Sequence, residues 1–145
     1  MEVFLKEIEI KDAEIITSLI EQLGYKATKA ETIKRIKNII SNVDHFACTA
    51  KVENKIVGWI HAFVCIYLES NPFVEIAGLI VEENFRGLGI GKRLIDEAEK
   101  WMISKNIYKL RVRTNVNRKD THRFYLNHGF SLTKEQKIFD KQINC

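Results

Sequence analysis

A chain of 145 residues that is 46% hydrophobic and 29% charged has the length and balance of one globular domain, here taken as 1–145. One proline and seven glycines exclude collagen-like and low-complexity readings. No apolar run approaches the ~20 residues that span a bilayer, so no membrane segment is expected. The net charge of +4 is a modest excess. It suits an anionic small molecule as well as a nucleic acid, whose binders concentrate such charge in a strong patch.

The first ten residues lack a basic region followed by a long apolar stretch. No secretory signal is expected, and the cytoplasm is the default location. Cys48, Cys65 and Cys145 are odd in number and widely spaced, which fits neither a disulfide framework nor a zinc motif. Cys48 and Cys65 read as buried reduced thiols, and Cys145 as an exposed terminal one. His45, His61, His122 and His128 are scattered without metal-ligand spacing, so no metal is expected.

Residues 3–10 alternate enough for a first strand. Asp12 stands where a helix N-cap belongs, ahead of Ile15, Ile16, Leu19, Ile20 and Leu23 at helical spacing, and Gly24 stops that helix. Thr28 with Glu31 three residues on makes a capping box for a second helix, whose apolar side is Ile33, Ile36, Ile39 and Ile40. Strand-like runs at 45–52 and 56–68 flank Glu53–Asn54–Lys55, a polar break suited to a hairpin. Asn71–Pro72 marks another turn. Residues 73–82 form a strand whose centre, Ile76 to Val81, is nearly continuous apolar, as expected of a strand covered on both faces. A long helix runs from about Gly89 to Lys105 with Ile90, Leu94, Ala98, Trp101 and Met102 on one stripe. Residues 108–114 alternate as a strand, 120–128 read as a helix stopped by Gly129, and 130–139 read as a last strand. The expected order is β-α-α-β-β-β-α-β-α-β, an α+β (α/β mixed sheet) domain.

The segment Arg86–Gly87–Leu88–Gly89–Ile90–Gly91–Lys92 joins a strand to an amphipathic helix. Alternating glycines let main-chain N–H groups converge, and the helix N-terminus adds partial positive charge. With Arg86 and Lys92 this is a cradle for a pyrophosphate. The nucleoside-triphosphate loop fails because Arg86 and Arg93 stand where glycine and Ser or Thr are needed. The dinucleotide fingerprint fails because Lys92 or Leu94 stands where its third glycine belongs.

The Arg-Gly-x-Gly-x-Gly pattern resembles the coenzyme A-binding motif of the GCN5-related N-acetyltransferase (GNAT) superfamily. Val81, five residues before Arg86, stands where that family ends its buried strand in Val. One strand later, Thr121 to Phe130 includes Phe124–Tyr125 and Gly129–Phe130, similar to the family's second motif. Together the two motifs cover residues 73–130.

The resemblance implies a GNAT-like acyl-CoA N-acyltransferase fold and an acetyl-CoA-dependent N-acetyltransferase. Such an enzyme moves acetyl directly, within a ternary complex, to a primary amine of a small molecule or peptide. It implies that main-chain groups of Leu79, Ile80 and Val81 pair with the pantetheine arm and supply an oxyanion donor. It implies that Arg86, Gly87, Leu88, Gly89, Ile90, Gly91 and Lys92 hold the pyrophosphate. Tyr125 falls where the family places a tyrosine beside the thioester sulfur, as general acid. An alkyl amine with a pKa near ~10 must lose a proton to attack. Glu75 is the first candidate for taking it, then Glu69, then His122. Asn117 stands where relatives contact coenzyme A, with Asn115 competing for the role and Arg118 and Lys119 as alternatives toward the phosphates. Cys65 has no adjacent His to activate it, so an acyl-cysteine step is discounted. Small relatives are commonly homodimers.

Two other readings stay open. One is a non-catalytic coenzyme A-binding regulatory module on the same fold. The other is a nucleic-acid binder using Arg111, Arg113, Arg118, Lys119 and Arg123, ranked last. The acceptor itself has no signature, and specificity is expected from the first two helices and the loop at 69–72.

Overall fold

The protein is represented by a computed structural model that describes residues 1–144, so the expectation for Cys145 lies outside the described residues. The chain forms two compact units, Met1–Arg113 and Thr114–Cys145.

The first unit begins with β1 (Phe4–Glu7), α1 (Ala13–Gln22) and α2 (Lys29–Ile40). Next come β2 (His45–Val52), β3 (Lys55–Cys65), β4 (Phe73–Val81), α3 (Ile90–Ser104) and β5 (Leu110–Val112). The strands lie in chain order, β1 to β4 antiparallel and β5 parallel to β4. That change of direction follows from connectivity. A two-residue turn suffices between antiparallel β2 and β3, whereas the parallel neighbour is reached through the α3 crossover. In the β2–β3 turn Glu53 and Asn54 both have positive φ, 51° and 66°, as in the primed turns that match strand twist.

Local signals set the helix ends. Thr28 Oγ1 accepts from the Glu31 amide at 3.1 Å, and Glu31 Oε1 accepts from the Thr28 amide at 3.0 Å, closing the capping box of α2. Asp12 precedes α1, but its carboxylate reaches back to the Glu9 amide at 2.9 Å rather than into the helix. Gly24 stops α1 with φ +90°.

The sheet is covered on both faces. Trp101 of α3 stacks on Phe46 at 5.5 Å, placing α3 against the face that Phe46 shares with Cys48, Ile60 and Ala62. Trp59 packs instead with Ala13, Ile16 and Ile36 of α1 and α2. Its β2 partner, Thr49, is three residues from Phe46 and therefore faces the other way. The α3 stripe is buried as expected at Ile90, Leu94, Ala98 and Met102, with Ile95 added. Ile40, expected on the apolar side of α2, is exposed.

The second unit holds α4 (Lys119–Asn127), which ends at Gly129 with φ +90°. The amides of His128 and Phe130 both donate to the Tyr125 carbonyl, at 3.0 and 3.1 Å. Residues 130–144 carry neither helix nor strand, which corrects the strand expected at 130–139. Lys134, Glu135 and Lys137 interrupt the alternation, and Leu132, Ile138 and Phe139 are exposed. A strand is held by cross-strand partners more than by its own propensity. The observed order thus ends at α4, and the expected mixed sheet stands.

Candidate functional site

Beyond Val81 the chain makes one short helical turn and then enters the glycine segment. Gly87 and Gly89 take φ of +76° and +83°, a region that side chains disfavour. A Cβ on either would meet no atom within 4 Å, so the space in front of the turn is open. Gly89 is the N-cap of α3, with no side chain capping it. Among the described residues, no hydrogen bond is recorded for the amides of 87 and 89 to 92, while the Leu88 amide closes the turn at Arg86 and Gly87; the first helical bond is Arg93 N–H to the Gly89 carbonyl at 3.2 Å. Five donors are therefore left at the positive end of a 15-residue helix, next to the open space at Gly87 and Gly89.

The flanking cations differ in disposition. Arg86 folds back, its Nε donating to the Val81 carbonyl at 2.9 Å. Lys92 pairs with Asp96 one turn along α3, at 3.0 Å. Both are exposed.

β4 has one paired edge and one partly open edge. Against β3 its ladder runs the whole length, from Phe73 to Val81, with a bulge opposite His61 and Ala62. Against β5 it stops at Ile76. The burial follows: Phe73, Val74 and Ile76 are buried, Ala77 is exposed, and 78–81 are half-buried. This corrects the expectation of a strand covered along Ile76 to Val81. The Glu82 amide donates to the Val57 carbonyl at 2.7 Å, which sets the phase of the ladder. Main-chain groups alternate edges along a strand, so Ile80 turns its pair toward β3, while Leu79 and Val81 turn theirs to the open edge. With the Val81 carbonyl engaged by Arg86, that edge offers the Leu79 amide and carbonyl and the Val81 amide. A cleft of about 50 Å³ lies here, lined by Ile80, Val81, Arg86 and the Leu19–Leu23 end of α1.

On the sheet face that carries α1 and α2, charged and aromatic groups gather. Glu75 Oε1 accepts from Arg113 Nε at 2.9 Å, and the pair raises the guanidinium's pKa. The Arg111 guanidinium lies 4.4 Å from the centre of the buried Phe73 ring, and Tyr67 meets that ring edge-on at 5.2 Å. His45 Nδ1 and His61 Nε2 are 2.9 Å apart, one donating and one accepting. Burial, then the neighbouring His45, push the His61 pKa down to about 4. Sequence reasoning missed the histidine pair and the Phe73–Arg111 contact, although strand alternation already put Arg111 and Arg113 on one face.

The remaining candidates are placed as follows. Glu69 lies exposed in the loop after β3. Burial raises the pKa of Cys48 to about 11, and burial raises that of Cys65 too, so both are poor nucleophiles. Among the described residues no three His, Cys, Asp or Glu side chains gather as a metal site. No helix there is long and apolar enough to cross a membrane.

Tyr125, Asn115, Asn117 and His122 belong to the second unit. Tyr125 is 9% exposed, with Phe124 and Phe130 edge-on at 5.2 Å each. Burial raises its pKa, against a smaller opposing effect of Arg118, so the phenol stays protonated at neutral pH. The Asn117 amide donates to Asn115 Oδ1 at 3.0 Å, an Asx turn ahead of α4. His122 Nε2 lies 2.9 Å from the Asn115 carbonyl, so that ring is engaged by the loop.

The family model described as Acetyltransferase (GNAT) family matches residues 13–130. The comparison with curated proteins returned no match. Among solved structures, the aminoglycoside acetyltransferase AAC(6')-Iy, in complex with the bisubstrate analogue CoA-S-monomethyl-acetylneamine, superposes with a TM-score of 0.88 at 18% identity. That match covers 99% of this chain and 100% of that one. Glucosamine-6-phosphate N-acetyltransferase from Arabidopsis thaliana gives 0.81 at 25% identity, covering 97% and 100%. AAC(6')-Ih from Acinetobacter baumannii gives 0.87 at 16% identity, covering 99% and 100%. These likenesses carry the fold.

Proposed function

The chain belongs to the acetyltransferase (GNAT) family, and on that premise we propose that it transfers acetyl from acetyl-CoA to a primary amine of a small molecule or peptide. One observation carries this reading: the open edge at Leu79 and Val81 is followed, after one short helical turn, by five uncommitted amides at 87 and 89 to 92. A diphosphate needs converging donors with room in front of them, which the glycine turn has. An amide-containing arm needs an unpaired strand edge, which Leu79 and Val81 have. The residues fit coenzyme A on both counts. The neighbours support the same chemistry. AAC(6')-Iy is found with a CoA-linked acceptor analogue, and the Arabidopsis enzyme is named for acetylating an amino sugar phosphate.

Acetyl-CoA supplies an activated acyl group as a thioester. The chain's own part is to bind, orient and move protons. An open-edge amide, Leu79 or Val81, polarises the acyl oxygen and stabilises the charge that develops on it. Tyr125, protonated at neutral pH, serves as the acid that returns a proton to the departing thiolate. Glu75, held by Arg113, takes the amine's proton through intervening water. Both substrates are held together, since neither buried cysteine is suited to carry the acyl group.

The test is calorimetry with acetyl-CoA, followed by thiol release over a panel of amines. Binding in the micromolar range with amine-dependent thiol release is expected. Binding without turnover on any amine would point to a coenzyme A-binding module, and no binding would end the proposal.

A further inference from the structure

We propose that the acceptor amine carries a second, anionic group, a carboxylate or a phosphate, and that Arg111 and Lys109 receive it on the Phe73 ring. This rests on the acetyl-transfer reading above and names its substrate class.

The charge on this part of the sheet does not balance. Lys109, Arg111 and Arg113 alternate through β5 and its flanks, so they stand on one face. Parallel pairing sets Arg111 beside Glu75, the one carboxylate in the cluster. That carboxylate is engaged by Arg113. Arg111 and Lys109 have no carboxylate partner among the described residues. Instead both approach the same buried ring, Arg111 at 4.4 Å and Lys109 at 5.6 Å from its centre. A cation held over a ring at 4.4 Å keeps its N–H donors available, and a guanidinium's forked donors suit two-pronged binding of a carboxylate or phosphate. Tyr67, edge-on to the ring, walls the cluster on another side.

Its position fits an acceptor. Glu75 is four residues before Leu79, but the bulge at Ala77 makes this three residues on the partner strand, Phe63 to Ile60, or roughly 10 Å at ~3.3 Å per residue. An amine presented near the open edge and an anion met by the long Arg111 side chain then sit at opposite ends of the substrate, as in an amino sugar phosphate or an ω-amino acid. The cluster lies on the face covered by α1 and α2, away from α3.

The test is thiol release with matched amines: ω-amino acids against their amides, and amino sugar phosphates against the unphosphorylated sugars. At least one anionic amine should exceed its neutral partner in kcat/KM by about 10- to 100-fold, the value of a charge-assisted hydrogen bond. Which pair shows the gap tells carboxylate from phosphate. Arg111→Gln should remove most of the gap through KM, Arg111→Lys should restore part of it, and the affinity for acetyl-CoA should persist. Equal rates for charged and neutral partners, or a gap unchanged in Arg111→Gln, would overturn the proposal while leaving acetyl transfer intact. Absence of acetyl-CoA binding in the unaltered protein would instead remove the parent reading, and this one with it.

Discussion

Arg86 Nε donates to the carbonyl of Val81 at 2.9 Å, tying the first cation of the glycine segment to the last residue of β4. The contact has two effects. It satisfies an acceptor on an edge that no strand covers, and it uses Nε alone, so the other guanidinium nitrogens have no recorded hydrogen bond among the described residues. Arg86→Gln should therefore raise the dissociation constant for acetyl-CoA by about 10- to 100-fold, the loss of one charged hydrogen bond. Because Arg86 is exposed, thermal stability should change little. Calorimetry paired with a melting curve checks both, and an unchanged affinity would show that the arginine only closes the strand end.

Gly89 combines a left-handed φ of +83° with the N-cap of α3. A β-branched side chain is strained there and would stand in the space the amides surround. Gly89→Val should abolish measurable coenzyme A binding. Gly89→Ala, with the same strain and less bulk, should weaken it by an intermediate amount. If both variants melt as cooperatively as the parent and still bind normally, the cradle is elsewhere.

The parts of this fold that were legible in the sequence are those set by neighbours in the chain. Thr28 and Glu31 close their box within four residues, Gly24 and Gly129 stop their helices, and the α3 stripe is a simple periodicity. What escaped depends on register between strands. The bulge between Ala50 and Lys51 shifts the β2–β3 pairing by one residue, and that shift brings His45 and His61 onto one face. A second bulge, opposite His61 and Ala62, does the same for β4. The open edge past Ile76 was hidden for a related reason. Leu79, Ile80 and Val81 are as apolar as any core strand, and nothing in them tells which edge will lack a partner. The residues from Phe130 on show the converse error, since an apolar pattern at 130–139 does not supply the ladder a strand needs.

The histidine pair gives a stability prediction with a definite sign. His61 is lowered from its ordinary 6.5 to about 4 by burial and by His45. In the unfolded chain it protonates below pH 6.5, while in the folded chain it stays neutral until about pH 4. The unfolded state thus binds more protons in that window, and the stability present above pH 6.5 is lost progressively as pH falls toward 4. His61→Asn should flatten the urea midpoint across that range relative to the parent. A parallel pH dependence in the two proteins would assign the acid sensitivity to other groups.

Tyr125 is the sharpest test of the chemical step. Burial raises its pKa above the ordinary 10.0, so the hydroxyl is available as a donor throughout the neutral range. A group that protonates a leaving thiolate acts in the transition state, not in holding the substrate. Tyr125→Phe should therefore lower kcat by about 100-fold while changing the acetyl-CoA dissociation constant by no more than about threefold, under ~1 kcal/mol. The phenyl ring keeps the edge-on contacts with Phe124 and Phe130, so the packing of the motif is preserved. The measurement is steady-state turnover on the best amine found, alongside calorimetry on the same preparation. A loss confined to binding would make Tyr125 a positioning residue. Full turnover in Tyr125→Phe would mean that the thiolate leaves without an acid from this side chain.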